Sequence, residues 1–472
     1  MLKRHIADLL RENFDFTFTE SQQELIGHLG GFIADIDQKQ LYLIKGYAGT
    51  GKTSLVRSLV KTLDHLHLNY VLMAPTGRAA KVLSAYAERP AYTIHKKIYI
   101  QKTTRDGVGV FTLDRNLHSK TFFIIDEASM ITNESAEQSL FGSGRVLEDL
   151  INYVTNDRQC KLILIGDAAQ LPPVGLDVSP ALDVKVLEKY GFTVHEAFLS
   201  EVLRQSADSG ILRNATYLRN LLGKGQIEHP RFTVRDHDDI FPLSGGDFLE
   251  ELENAYQKSG KDQVIVVTRS NKRANQFNKG IRERILWREE EIAEGDYIMV
   301  VKNNYFWLDE DQPTPFIANG DIAEILQIEG FQERYGFRFA DVVLRFTDYN
   351  DLEVSCKIIL DSLMIESASL GQEKNRELYM NILEDFPEIK AKRKQYLKVR
   401  EHPFFNALQV KFAYAVTCHK AQGGQWDVVF LDQGYISEEM INVEYIRWLY
   451  TAFTRATRRL YLVNFHSSYF EE

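Results

Sequence analysis

One junction constrains this chain more than any other feature. Leu41-Tyr-Leu-Ile-Lys45 has the length and composition of a buried strand, and it runs straight into Gly46-Tyr-Ala-Gly49-Thr50-Gly51-Lys52-Thr53. Behind the glycines, Leu55, Leu59 and Leu63 recur at every fourth position, the spacing of one helix face. A strand, a glycine-rich turn and a helix in that order fit the pattern Gly-x4-Gly-Lys-Thr. In that pattern backbone N–H groups turn inward around phosphate oxygens and the helix adds its positive N-terminal end. Lys52 is expected on the outer phosphates and Thr53 on a Mg²⁺ ion, with Gly46, Gly49, Thr50 and Gly51 completing the cradle.

The same texture continues. Apolar runs at Tyr70–Met73, Phe122–Ile125, Leu162–Ile165 and Val264–Val267 alternate with helical stretches, which predicts an α/β fold with a parallel sheet covered on both faces. Upstream, Phe16 to Ile26 leads into a helix with Thr19 or Ser21 as its N-cap. Two interruptions differ. Tyr99 to Leu113 reads as a hairpin around Asp106-Gly107. Later, Tyr297–Val301, Asp321–Ile328, Phe337–Phe346 and Leu352–Ile359 read as consecutive short strands, with turn signals at Asn319-Gly320 and Asn350-Asp351. They predict a small antiparallel β-barrel inserted into a larger α/β domain. Gln372 to Arg400 then reads as helical and strongly charged, and the α/β texture returns at Val410.

Two further strand ends carry chemistry. Phe122-Phe-Ile-Ile-Asp126-Glu127 closes an apolar strand with adjacent carboxylates. Asp126 is expected to hold the Mg²⁺ shell and Glu127 to orient and deprotonate a water, work that needs a carboxylate within hydrogen-bond reach. In Leu162-Ile-Leu-Ile-Gly166-Asp167-Ala-Ala-Gln170-Leu-Pro-Pro-Val-Gly175, Gln170 is placed to sense a terminal phosphate.

Composition bounds what surrounds this site. With 472 residues the chain has room for two to four domains, and 44% hydrophobic with 26% charged residues is ordinary for a soluble protein. No window reaches the apolar length of a membrane span, so no membrane partner is expected, and the opening Met-Leu-Lys-Arg-His lacks the pattern of a signal peptide. Cys160, Cys356 and Cys418 fit no zinc spacing and read as reduced, buried thiols of a cytoplasmic protein. The formal net charge of −10 argues against an indiscriminate polyanion binder but leaves room for a local basic groove. Lys390, Lys392, Arg393, Lys394, Lys398 and Arg400 crowd one stretch, which ordinarily means a solvated helix face.

Gly166-Asp-x-x-Gln-Leu-Pro-Pro-Val resembles motif III of the superfamily-one helicases, in the branch that contains RecD, Dda and the Pif family. Other matches follow in that family's order. Phe18-Thr-Glu-Ser-Gln22 resembles the Q motif, whose glutamine reads adenine. Ala74-Pro-Thr76-Gly-Arg78-Ala-Ala-Lys81 resembles motif Ia, Thr93-Ile-His95 motif Ic, and Leu199-Ser-Glu-Val-Leu-Arg204-Gln205 motif IV. Val267-Thr-Arg-Ser-Asn271 resembles the opening of the second core. Val416-Thr417-Cys-His419-Lys-Ala-Gln422-Gly423 resembles motif V, and Tyr450-Thr-Ala-Phe-Thr-Arg455-Ala456 motif VI. Cys418, Ala421 and Phe453 depart from the usual residues of motifs V and VI without touching a charged group. The extended Pif signature is absent between Met130 and Lys161, so RecD/Dda-like is the better description.

The resemblance implies two RecA-like cores, the second carrying a Src-homology-like barrel. The expected divisions are 1–185 for the first core with a hairpin insertion at 98–114, 186–293 and 406–472 for the second core, and 294–405 for the barrel and charged helices. It implies ATP and Mg²⁺ as cofactors, Arg204 and Arg455 as arginine fingers, and DNA contacts from Thr76, Arg78, His95, Asn271, Thr417 and His419. It implies 5′-to-3′ movement on single-stranded DNA, and a strand-splitting pin with Val108 to Phe111 as its edge. The expected partners are single-stranded DNA and single-strand/duplex junctions, with single-strand-binding or repair-complex proteins beside them, and the chain is read as a monomer. Two other readings fit the same residues: a protein-displacing translocase that unwinds weakly, and an ATP-dependent DNA-binding switch. RNA as the track also stays open.

Overall fold

The computed structural model describes all residues except 36, 38, 104–108, 134–142, 156–158, 202–207, 224–227, 309–315, 350 and 472, and gives the backbone alone at 101–103, 109–111 and 348. The chain forms two compact units. Met1–Lys102 with Val110–Asp208 make one, and Ser209–Glu472 make the body of the other.

The first unit is built on a six-stranded sheet. Its strands are β1 (Gln40–Gly46), β2 (Asn69–Ala74), β3 (Ala91–Thr93), β6 (Thr121–Ile125), β7 (Lys161–Gly166) and β8 (Thr193–Leu199), and β4 (Tyr99–Thr103) with β5 (Gly109–Leu113) form a separate two-stranded ladder. The spatial order is β3-β2-β6-β7-β1-β8, and every described pair is parallel. β1, β6 and β7 are buried along nearly their whole length, as a sheet covered on both faces requires. One face packs Leu55, Leu59 and Leu63 of the helix Lys52–His65 against Tyr42, Ile44 and Ile163. The other packs the helix Val146–Val154 against Leu41, Leu43 and Phe123. The expected hairpin is present as the β4–β5 ladder, while its Asp106-Gly107 turn and the side chains of its proposed edge fall outside the described residues.

The strand β8 corrects the division expected at 185/186. It hydrogen-bonds to β1 from Gln40↔Thr193 to Gly46↔Leu199, so the first sheet continues past that point. As an edge strand most of its residues are exposed or half-buried, so Thr193-Val-His-Glu-Ala-Phe-Leu199 gives no apolar run to read.

The second unit combines a sheet and a barrel. The sheet has β9 (Ile240–Leu243), β10 (Val264–Thr268), β16 (Ala415–Thr417), β17 (Trp426–Asp432) and β18 (Ala456–Val463) in the order β16-β10-β17-β18-β9, all parallel. The closed barrel has β11 (Tyr297–Val300), β12 (Ile322–Arg334), β13 (Phe337–Phe346), β14 (Leu352–Ile359) and β15 (Leu408–Phe412). β13 and β14 match the expected strands residue for residue. The fifth strand is the difference. β15 lies beyond residue 405 and pairs parallel with β14, so the closing step of the barrel is not antiparallel. A parallel partner needs a long crossover, and the helices Gln372–Leu383 and Lys392–Arg400 lie within it. They fold onto the far end of the β12–β13 hairpin around Phe337, Phe339, Leu378, Ile382, Val399 and Phe404.

A buried polar cluster fixes the barrel to its own sheet. Asp296 accepts hydrogen bonds from Arg282 Nε at 3.1 Å, Arg288 Nη1 at 2.6 Å, Tyr414 Oη at 3.0 Å and the Ala293 N–H at 2.8 Å. A fully buried carboxylate is tolerable only with that degree of satisfaction. The three cysteines are free and buried, as composition suggested.

Candidate nucleotide and nucleic-acid sites

The sheet order brings the first unit's motifs together. β6, β7 and β1 are neighbours, and their C-terminal ends carry Asp126-Glu127, Gly166 to Gln170, and the glycine turn. In an open parallel sheet that edge is where ligands bind.

The turn has the conformation its sequence predicts. Gly49 and Gly51 lie at φ +79° and +80°, a region other residues enter only with strain. At Gly46 a Cβ would stand 2.8 Å from Thr50 Oγ1 and 2.9 Å from Leu199 Cβ, so any side chain would push β8 away. Lys52 Nζ donates to the carbonyls of Gly46 and Tyr47, both at 2.8 Å. The ammonium is thus held across the mouth of the turn by acceptors that phosphate oxygens can replace.

Asp126 follows β6 with its N–H bonded to Met73 O at 3.0 Å, and its Oδ1 accepts the Glu127 N–H at 2.8 Å. Desolvation, then the adjacent Glu127 charge, pushes the Asp126 carboxyl up to about 7, and Lys52 pulls the other way. No cation pairs with Asp126 among the described residues, so this carboxylate fits a divalent ion, with Thr53 beside the same turn. Glu127 sits at φ +53°, an uncommon backbone for a glutamate. Gln170 is 3% exposed at the end of β7, where the Asp167 carboxylate caps the Ala169 N–H at 2.9 Å.

Gln22 is engaged at both ends of its amide. Its Nε2 donates to Thr50 O at 2.9 Å, and its Oε1 accepts the Thr19 N–H at 3.1 Å, closing a capping box on the helix Glu20–Ala34. Both ends of the amide are engaged within the protein, so Gln22 here ties that helix to the glycine turn. Ser21 Oγ also donates to Glu201, joining the same helix to the segment after β8. Sequence reading missed that contact, because nothing local links residues 180 positions apart.

Thr76, Arg78 and His95 follow β2 and β3 on the same edge of the sheet. The Thr76 hydroxyl caps its helix by accepting the Ala79 N–H at 3.2 Å. His95 stacks obliquely on Tyr99 at 5.6 Å, and Tyr99 donates to Asp149 at 2.7 Å. Burial lowers the His95 pKa, against the pull of Asp149.

In the second unit, Asn271 and Thr417 sit at the C-terminal ends of the paired strands β10 and β16. Neither side chain has a hydrogen-bond partner among the described residues, so both are available. His419 is half-buried, and desolvation lowers its pKa against the charge of Glu444. Arg455 is 3% exposed and its guanidinium donates to Thr451 O at 3.0 Å, Gly424 O at 3.1 Å and Thr454 Oγ1 at 3.1 Å. No carboxylate neutralises it among the described residues, which leaves a fixed, unspent positive charge. Arg204 lies outside the described residues. The departures at Cys418, Ala421 and Phe453 are all fully buried, so they change packing and leave the polar edge alone.

Comparison with known proteins agrees with this geometry. Residues 19–229 match the model of an AAA domain, and residues 412–463 match that of the UvrD-like helicase C-terminal domain. The ATP-dependent DNA helicase Dda of Enterobacteria phage T4 is 26% identical, over 84% of this chain and 88% of that one. The ATP-dependent RecD2 DNA helicase of Deinococcus radiodurans is 24% identical over 94% of this chain, which spans 48% of the RecD2 length. The crystal structure of the Bacteroides Pif1 helicase with ADP-AlF3 and single-stranded DNA superposes with a TM-score of 0.50 at 15% identity, covering 97% of this chain and 95% of that one. The chain belongs to the RecD/Dda-like branch of the superfamily-one helicases, related to the Pif family, a family of ATP-hydrolysing DNA helicases.

Proposed function

We propose that this chain is an ATP-driven motor that moves 5′ to 3′ on single-stranded DNA and opens duplex at single-strand/duplex junctions. The observation that supports the reading is that Lys52, Thr53, Asp126, Glu127 and Gln170 all follow the C-terminal ends of three neighbouring strands, β1, β6 and β7.

The residues divide the work by chemistry. Lys52 and the turn N–H groups bind phosphate oxygens, displacing the Gly46 and Tyr47 carbonyls from the ammonium. Thr53 and the ionised Asp126 hold Mg²⁺, which when bound supplies charge stabilisation to the transferring phosphoryl group. Glu127 accepts the proton of the attacking water, and Gln170 reports the terminal phosphate. Arg455, with Arg204, supplies the arginine fingers, because a guanidinium stays protonated and spreads its donors over phosphate oxygens. Asn271, Thr417 and His419 with Thr76, Arg78 and His95 hold the strand through phosphate and sugar contacts, which position without reading sequence. ATP that binds a closed state better than an open one drives closure, and hydrolysis releases it. The branch resemblance supports the polarity, and Dda and RecD2, each named a DNA helicase, support DNA as the track.

The test is ATP hydrolysis with and without single-stranded DNA, on wild type, Lys52→Ala and Arg455→Ala. Strong stimulation by DNA, lost in both variants, is the expected result, followed by unwinding of 5′-tailed and not 3′-tailed duplexes. Turnover indifferent to DNA overturns the track. Tight ATP-dependent DNA binding without turnover replaces the motor with a switch, and protein displacement without unwinding replaces the helicase with a translocase.

A further inference from the structure

The protein carries a formal net charge of −10, yet one surface of the second unit is strongly basic. The helix Lys392–Arg400 turns Val399 inward and Arg393, Lys394, Leu397 and Lys398 outward. Lys398 lies 3.8 Å from the exposed Glu401. Lys390, Lys392, Arg393, Lys394 and Arg400 form no ion pair among the described residues. The acids of the preceding segment do not neutralise them. Glu377 holds Lys374 at 2.8 Å, Asp385 accepts a hydrogen bond from Tyr335, and Glu384 and Glu388 face solvent. A run of charge alone is ordinarily a solvated face, and this one is joined to two further features.

The first is another cation from a separate element. Lys302, just after β11, is exposed and forms no ion pair among the described residues. Its Nζ lies 3.5 Å from Asn375 Oδ1, which also accepts Gln409 Nε2 at 2.9 Å. Neighbouring atoms desolvate its ammonium, and the Arg400 charge lowers its pKa further, so the two cations share one field. The second feature is aromatic. Tyr305 and Phe306 lie in the same loop and are each 37% exposed. Tyr305 stacks on Phe316 at 5.2 Å and Phe306 stands edge-on to Trp307 at 4.9 Å, so each ring is backed by another. Asn406 fastens this loop to the basic helix. Its carbonyl accepts Asn304 Nδ2 at 2.8 Å and Trp307 Nε1 at 2.7 Å, while its own Nδ2 donates to Arg400 O at 2.6 Å. Arg400 in turn lies over the Tyr396 ring at 5.7 Å.

We infer that this face of the barrel and its crossover helix binds a second single-stranded arm of the DNA, apart from the strand held at the sheet edges. Cations that track a backbone, set beside rings on which bases stack, are the chemistry of sequence-tolerant single-strand binding. A duplex keeps its bases stacked on one another, so it would use the cations and leave Tyr305 and Phe306 idle. An acidic peptide supplies charge, but a flat ring only where its own sequence does, whereas a single strand supplies both at every nucleotide. The inference rests on the proposed DNA track and adds a second strand to it.

The experiment compares binding of a fluorescent fork with two oligothymidylate arms and of the same duplex with a 5′ arm only, across a salt series. The proteins are wild type, the triple variant Arg393→Gln/Lys394→Gln/Lys398→Gln, and Phe306→Ala. Wild type should bind the fork about tenfold more tightly, with a log–log salt slope steeper by about 0.7 for each phosphate met. The triple variant should lose that preference and about 2 of the slope, three contacts at about 0.7 each, while keeping its oligothymidylate-stimulated ATP turnover. Phe306→Ala should weaken the fork alone, by about fivefold or more, with little change in slope. A fork preference that survives in the folded triple variant, or that wild type never shows, overturns the inference and leaves the track intact. A fork whose second arm is made duplex, bound as tightly as the open fork, assigns the face to duplex phosphates and overturns it. A fluorescent peptide of alternating aspartate and phenylalanine that needs the three cations, with fork binding indifferent to them, assigns the face to an acidic protein segment and overturns it too. Unchanged fork binding in Phe306→Ala has the same consequence, since cations alone do not select a single strand. Wild-type ATP turnover that ignores oligothymidylate removes the functional reading and this one together. If either variant melts early, Lys302→Gln decides: a slope lower by about 0.7 on the fork alone supports the second arm, and equal slopes overturn it.

Discussion

In the first sheet, the C-terminal ends of β1, β6 and β7 carry a glycine turn, two carboxylates and a glutamine; in the second, the ends of β10 and β16 carry Asn271, Thr417 and Lys420. Both sheets are parallel, and both expose the same kind of edge. The carboxylates show the contrast most sharply. Asp126, after β6, forms no ion pair among the described residues, and desolvation with the Glu127 charge raises its pKa against the pull of Lys52. Asp432, at the end of β17, is fully buried and held by Arg273, with Nε to Oδ2 at 2.8 Å and Nη2 to Oδ1 at 3.0 Å. One strand-end carboxylate carries no ion pair among the described residues, and the other is neutralised by an arginine. Shared architecture therefore says little about chemistry. The side chains that meet each strand end decide it.

That contrast can be broken by mutation. The largest effect belongs to Arg455→Ala, which should lower DNA-stimulated ATP turnover by on the order of 10³–10⁵. Nucleotide affinity, read by a fluorescent ATP analogue, should change little. A drop of less than tenfold would make Arg455 a strut for Thr451 and Gly424 and would remove the second unit from the hydrolytic chemistry.

Next comes Glu127→Gln, expected to slow hydrolysis by about 10²–10⁴ while ATP still binds. Single-turnover measurement separates this from slow product release. A fast burst in the variant would return the base role to another group.

The paired carboxylates give an opposed couple. Arg273→Ala leaves Asp432 buried and alone, and should destabilise the second unit by on the order of 3 kcal/mol in denaturant melts. Asp126→Asn should leave the first unit at least as stable while removing its affinity for Mg²⁺. The pH dependence follows from the sign of the shift. The folded pKa of Asp126, about 7, lies above its ordinary 3.8. Without metal, the unfolded chain ionises first as pH rises, so this group erodes stability between those two values. The Asn variant should lack that slope, and equal slopes in both proteins would refute the assignment.

The smallest effect is at the hydroxyl-and-amide edge. Asn271→Ala should weaken single-stranded DNA binding by about 1 kcal/mol, the value of one hydrogen bond, with little change in ATP affinity. A titration that superposes on wild type would take Asn271 off the track.

How much of this could be read without coordinates depends on distance along the chain. The glycine turn, the Asp126-Glu127 strand end and the barrel strands β13 and β14 were legible because each announces itself within ten residues. β8 was not, since an exposed edge strand lacks an apolar run. β15 was not assigned to the barrel either: the α/β texture reads as returning at Val410, and the alternating Leu408-Gln-Val-Lys-Phe412 does not say which sheet it joins. Gln22 shows the same limit at a site. Its place in the first turn of the helix was readable from Thr19, whereas its bond to Thr50 joins two separate segments.

By itself the sequence determined the local chemistry: where φ must be positive, where a strand ends in carboxylates, and which helix follows the turn. Those outcomes follow from backbone sterics and short-range periodicity. Tertiary structure alone decided the order of the strands, the closure of the barrel by β15, the neutralisation of Asp432 by Arg273, and the bond of Gln22 to Thr50. Each of these sets a charge or a hydrogen bond against a neighbour remote in the chain. Desolvation and pairing act through space, so only the folded arrangement fixes which charges are satisfied and which remain to hold a ligand.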